Sequence, residues 1–87
     1  MSHHAHRAFL GVNGGMKHKP VRPAWACTAC GEQWPCAGAQ AEIRAMHGGD
    51  IPAMMTYMTG FLPEATTDMP EMSQSVLLPR FLDWCLH

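Results

Sequence analysis

Residues 25–36 read WACTACGEQWPC, which puts Cys27, Cys30 and Cys36, three of the chain's four cysteines, between and beside Trp25 and Trp34. Cys27 and Cys30 are separated by two residues, a spacing that lets one tight turn aim both sulfurs at a single centre. Gly31 follows directly and supplies the positive φ that such a turn needs. Cys36 stands at the start of a predicted helix, where backbone N–H groups and the helix dipole favour a thiolate over a thiol. The pattern predicts three ligands of a tetrahedral zinc site.

A fourth ligand must come from elsewhere. His18 is the best candidate, because residues 19–26 are long enough to fold back and complete His-x8-Cys-x2-Cys-x5-Cys. Cys85 is the alternative if the end of the last helix reaches over the knuckle, and the other histidines or a water follow. His47 stands at the far end of the first helix, which at about 1.5 Å of rise per residue is too distant. Four protein ligands make a closed, structural site with no open position for substrate, which argues against an enzyme. Binding of the metal is then part of folding.

Two other readings compete with a metal. The cysteines can be reduced thiols packed in a small core, although two close spacings must then be coincidence. Cys27-Thr-Ala-Cys30 also has the dithiol spacing of thioredoxin-like enzymes, but those place it at a strand-to-helix turn in a βαβ setting that this sequence lacks.

Working outward, 87 residues are one small domain whose core benefits from a staple. No apolar run is long enough for a membrane span and the N-terminus lacks a signal-like apolar region, so the reading is cytoplasmic. In a reducing compartment, closely spaced cysteines are more often metal ligands or redox groups than structural disulfides. The net charge of −1 conceals an asymmetry. Arg7, Lys17, Lys19 and Arg22 have no acid among them in residues 1–22, whereas residues 23–87 carry Arg44 and Arg80 against seven acids. Residues 1–17, with the His3, His4 and His6 cluster and several glycines, read as a flexible basic arm, and residues 18–87 as the domain. Four basic residues without interleaved aromatics, beside an acidic body, are a thin footprint for nucleic acid.

Pro20 and Pro23 favour an extended path into Trp25. Beyond the cysteines the fold is mainly α, a zinc knuckle followed by a small three-helix bundle. Ala39, Ile43 and Met46 mark a helix over 37–47 stopped by Gly48-Gly49. Asp50 caps a second helix over 51–62, whose Ile51, Met54, Met55, Met58, Phe61 and Leu62 make an apolar stripe. That methionine-rich stripe reads as core, with an adaptable docking surface as the alternative. Pro63 stops or kinks this helix, residues 66–70 connect, and Ser73 caps a third helix over 74–86 that is bent at Pro79. No segment alternates as a strand.

The run from His18 through Trp25-x-Cys27-x-x-Cys30 to Trp34-Pro-Cys36, ending Leu78-Pro-Arg-Phe-Leu-Asp-Trp84, resembles a group of very small actinobacterial proteins with a Trp-x-Cys-x-x-Cys…Trp-Pro-Cys signature. That resemblance implies zinc ligation by Cys27, Cys30 and Cys36, with His18 carried over less directly, and a flavin reductase label that has little chemistry behind it. The Cys-x2-Cys-x5-Cys spacing leading into a helix is also similar to the WhiB-like iron–sulfur regulators. That likeness implies an iron–sulfur cluster and a sigma-factor partner, but the separate upstream cysteine is absent here. The leading expectation is a small zinc protein with a structural Cys3His site, acting as an interaction or regulatory module for a protein partner. Iron–sulfur redox sensing and flavin reduction are the alternatives.

Overall fold

A computed structural model describes residues 16–87; the basic and histidine-rich stretch expected to be flexible lies, up to residue 15, outside the described residues. Strands β1 (Pro20–Val21) and β2 (Ala26–Cys27) lead into α1 (Ala37–Met46), α2 (Ile51–Thr59), α3 (Leu62–Asp68) and α4 (Gln74–Leu82), and a 3-10 turn over Asp83–Leu86 ends the fold. The architecture is mainly helical, as the apolar spacing implies.

The segment before the cysteines is a hairpin and not an extended lead. β1 pairs antiparallel with β2, Pro20 opposite Cys27 and Val21 opposite Ala26. Trp25 closes the turn at φ 57, a left-handed conformation rare for a bulky side chain, with its N–H donating to the Val21 carbonyl at 2.7 Å. Packing holds it there: Trp25 is 1% exposed and its indole Nε1 donates to Asp68 Oδ2 at 2.8 Å. The strands are themselves extended, and the turn at 22–25 folds one back on the other so that the two satisfy one another's backbone groups.

Gly48 at φ 60 and Gly49 at φ 78 end α1, and the Gly49 N–H donates to the Arg44 carbonyl at 3.0 Å, a glycine stop that side-chain-bearing residues rarely make. Asp50 caps α2 as expected, accepting from the Ala53 N–H at 3.2 Å. The helix expected over 51–62 ends at Thr59, and a separate helix, α3, starts at Leu62 and takes in residues 66–68 of the stretch expected to be a connection. The reason is Pro63. It lies in the first turn of α3, where its missing N–H costs no helical bond, so it starts a helix that it would interrupt one turn later. The last helix likewise changes to a 3-10 turn after Leu82.

Trp25 and Trp34 from the knuckle, Phe61 from the α2–α3 junction and Phe81 from α4 form the centre of the core. The tryptophan ring centroids are 6.1 Å apart, and each tryptophan meets Phe61 and Phe81 nearly edge-on at 5.1–6.1 Å. Burying each indole contributes roughly 4–6 kcal/mol as an upper bound. Met54 and Met58 are fully buried beside them, so the methionine stripe of α2 is core. Tyr57, off that stripe, is half-buried against His47 and Phe61, with ring centroids at 5.1 and 5.2 Å.

Candidate metal centre

The hairpin decides where His18 goes. Continuing its register sets residue 18 opposite residue 29, over the turn that joins Cys27 to Cys30. Lys19 and Thr28 extend the pairing, the Thr28 N–H donating to the Lys19 carbonyl at 2.8 Å. The turn itself is a knuckle. Gly31 N–H donates to the Cys27 carbonyl at 2.9 Å, with Gly31 at φ 77, and Ala29 N–H points at Cys27 Sγ at 3.3 Å. Cys27 N–H donates to the Glu32 carbonyl at 2.8 Å and Trp34 N–H to the Trp25 carbonyl at 2.9 Å, so the outgoing chain is fixed as firmly as the incoming one. Cys36 then caps α1 in an extended conformation.

These elements bring together one ligand atom each from His18, Cys27, Cys30 and Cys36, all within 4.8 Å of one another. His18 Nδ1 is 3.2 Å from Cys27 Sγ and 3.3 Å from Cys36 Sγ. Cys27 and Cys36 are buried, and Cys30 is exposed. One imidazole and three thiols at this separation can hold a metal ion. Cys85 is fully buried in the closing 3-10 turn and does not join the group, and His47 is held at the other end of α1, its Nδ1 2.9 Å from the Ile43 carbonyl.

Three groups that pattern reading missed position His18. Glu42, one turn on from Gly38 in α1, accepts the Lys17 N–H on Oε2 and the His18 N–H on Oε1, both at 3.1 Å. Burial pushes the Glu42 carboxyl up, but these two N–H donors and the nearby positive groups outweigh it and hold the pKa below the usual range. Trp34 Nε1 donates to the His18 carbonyl at 3.0 Å. Gly38 gives the ring its space, because a β-carbon there would come within 2.6 Å of Cδ2 and nearer still to Nε2. Met16, the first described residue, is 6% exposed and packs with the core.

Arg80 is the other group missed. From α4 its Nη2 donates to the Trp25 carbonyl at 2.9 Å and its Nε to the Trp34 carbonyl at 3.0 Å, and the desolvation this requires lowers its pKa. Arg80 thereby clamps both ends of the cysteine segment. No periodicity marks such a residue; a lone arginine in an apolar helix face is the faint signal it leaves.

The thiols are not equivalent. Burial raises the Cys27 pKa, but the N–H groups of Cys30 and Ala29 and the neighbouring His18 and Cys36 draw it down to about 6. For Cys36 burial is the main influence; the Ala39 N–H opposes it, while Cys27 and Cys30 add to it, and the pKa is pushed up to about 11. The first negative charge therefore falls on Cys27 and not on Cys36, contrary to what a helix start alone suggests. Burial, with smaller additions from the neighbouring Cys27 and Cys30 thiols, outweighs the helix terminus.

No helix among the described residues is long and apolar enough to cross a membrane. No family model matches the chain, and comparison with curated proteins and with solved structures likewise finds none that is similar.

Proposed function

We propose that the chain is a small zinc protein whose Cys3His site, formed by His18, Cys27, Cys30 and Cys36, is structural and supports an interaction module. The observation that carries this reading is the convergence of four donor atoms within 4.8 Å. Tetrahedral zinc, with Zn–S of about 2.3 Å and Zn–N of about 2.0–2.1 Å, sets donor–donor edges of about 3.5–3.8 Å, which shifts of about an ångström would reach. A multi-iron cluster needs its ligands spread around several metal atoms, so this compact set favours a single ion over the iron–sulfur alternative.

The site is joined to the core through its own segment. Trp25 and Trp34, which flank the cysteines, carry the aromatic centre against Phe61 and Phe81. Gathering the ligands therefore orders the core, as metal-linked folding of a small domain requires. Four protein ligands leave no position for a substrate, which favours a binding or regulatory role over catalysis. The flavin reductase label suggested by resemblance has weaker support, since the groove lined by Trp34, Tyr57 and Phe61 measures about 230 Å³, small for an isoalloxazine.

Metal analysis of tag-free protein tests the reading. About one zinc per chain is expected, with loss in Cys27→Ser and Cys36→Ser and weakened binding in His18→Ala. Metal-free protein that is fully folded would sink it, and iron with labile sulfide would transfer the site to the alternative.

A further inference from the structure

The four ligand residues differ in access. His18 is half-buried, and Cys27 and Cys36 are 4% and 6% exposed, while Cys30 lies in a run, 28–33, in which every residue is exposed. Cys85, the remaining cysteine, is fully buried. Cys30 is therefore the one exposed cysteine, and it belongs to the cluster. Cys27 and Cys30 also share one turn, so a bond between them closes within a single short loop. A bond from Cys30 to Cys36 would instead pull on the start of α1, which Ala39 and Ile43 anchor in the core.

We propose that Cys30 is an oxidation site for peroxide, and that its modification discharges the metal; the proposal rests on the zinc reading. The Cys30 thiolate attacks hydrogen peroxide, forming an S–O bond and breaking the O–O bond, and the departing hydroxide takes a proton to become water. The Cys27 sulfur then attacks the Cys30 sulfenic acid. An S–S bond forms, the S–O bond breaks, and the second hydroxide leaves as water after protonation. Two thiolates are oxidised to one disulfide, and one peroxide takes up their two electrons and two solvent protons to give two waters. His18 and Cys36 remain as two ligands, too few for a structural site.

The test uses the full chain, with zinc content measured before any oxidant is added. On addition of hydrogen peroxide, zinc release read with a chromogenic chelator is expected to follow the same time course as a Cys27–Cys30 disulfide found by peptide mass spectrometry. Thiol reductant plus zinc restores the starting state. Maleimide should label Cys30 about 10-fold or more faster than Cys27, Cys36 or Cys85, and Cys85→Ala should leave both measurements unchanged. Zinc retained through oxidation, a first disulfide involving Cys36, or earlier labelling of another cysteine would overturn the proposal. Absence of zinc at the outset overturns the zinc reading and the discharge step with it, and the labelling order then still decides whether Cys30 is the reactive thiol.

Discussion

Gly38 lies against the His18 imidazole so closely that a β-carbon would stand 2.5 Å from Cε1. The ring therefore rests on the first turn of α1, and its Nδ1 is the atom directed at Cys27 and Cys36. Gly38→Ala separates two effects that usually travel together. Alanine favours the helix by about 0.5–1 kcal/mol, yet it must displace the ring. The expected result is metal affinity reduced by about 10- to 100-fold, with helical content in the absence of metal equal to or above that of the parent. Competition titration against a chelator, alongside far-UV circular dichroism in excess chelator, checks it; unchanged affinity would show that the ring is not a ligand.

Glu42 acts on the same ring through the backbone. Its two oxygens hold the Lys17 and His18 N–H groups, so Glu42→Ala frees the chain that delivers the imidazole. Metal affinity is expected to fall by about 10-fold or more, with Glu42→Gln intermediate because one acceptor oxygen remains. Equal losses in the two variants would mean that charge, and not the paired acceptors, is what matters.

How much of this was legible beforehand follows from distance along the chain. The Cys27–Cys30 turn, the Gly48-Gly49 stop and the Asp50 cap are local, each decided within a few residues, and the patterns identify them. The α2–α3 break was misplaced because Pro63 has two opposite local meanings, interrupting a helix from within and opening one from its first turn. The choice is made by Phe61, whose ring must reach Trp25 and Trp34. Glu42, Asp68 and Arg80 each find partners 24 or more residues away, at His18, Trp25 and again Trp25, and nothing near them in the sequence announces those partners. His18 itself was legible only as a spacing, and the hairpin that brings it home was not.

Arg80 offers a test of the clamp across the cysteine segment. Arg80→Ala leaves the Trp25 and Trp34 carbonyls without their donors, and the expected loss is about 2–4 kcal/mol. Arg80→Lys is expected to recover only part, since a single ammonium lacks the fork that spans two carbonyls. Urea unfolding of the metal-loaded chain measures both, and a lysine variant as stable as the parent would mean that one of the two hydrogen bonds contributes nothing.

Asp68 gives the fold an acid sensitivity with a definite sign. Hydrogen bonding from Arg22 is the main influence on its carboxyl; burial opposes this and the Trp25 indole N–H adds to it, leaving the pKa below the usual carboxylate value. Arg22 Nε lies 2.6 Å from Asp68 Oδ2. A depressed carboxyl pKa stabilises the fold above the ordinary carboxylate pKa of about 3.9, and that contribution disappears as the pH falls through the lowered value. Asp68→Asn should therefore melt below the parent at neutral pH, with the difference closing in strong acid. Thermal unfolding of parent and variant in the same excess of zinc isolates the effect, because proton competition at the cysteines is common to both; a difference that persists unchanged in acid would assign it to packing.

Cys85 distinguishes a packed thiol from a ligand. It is fully buried, burial raises its pKa despite the opposing charge of Arg44, and it stands apart from the other three cysteines. Cys85→Ser should keep the metal stoichiometry and affinity of the parent while losing about 1–3 kcal/mol, the usual cost of a buried hydroxyl without a settled partner. Cys85→Ala should lose less, because it removes volume without introducing a polar atom. Cys36→Ser should behave in the opposite sense, giving up metal first and stability only as a consequence. Measured together by chelator competition and by unfolding with and without zinc, the variants should fall into two classes, and loss of metal from Cys85→Ser would place that sulfur at the ion after all.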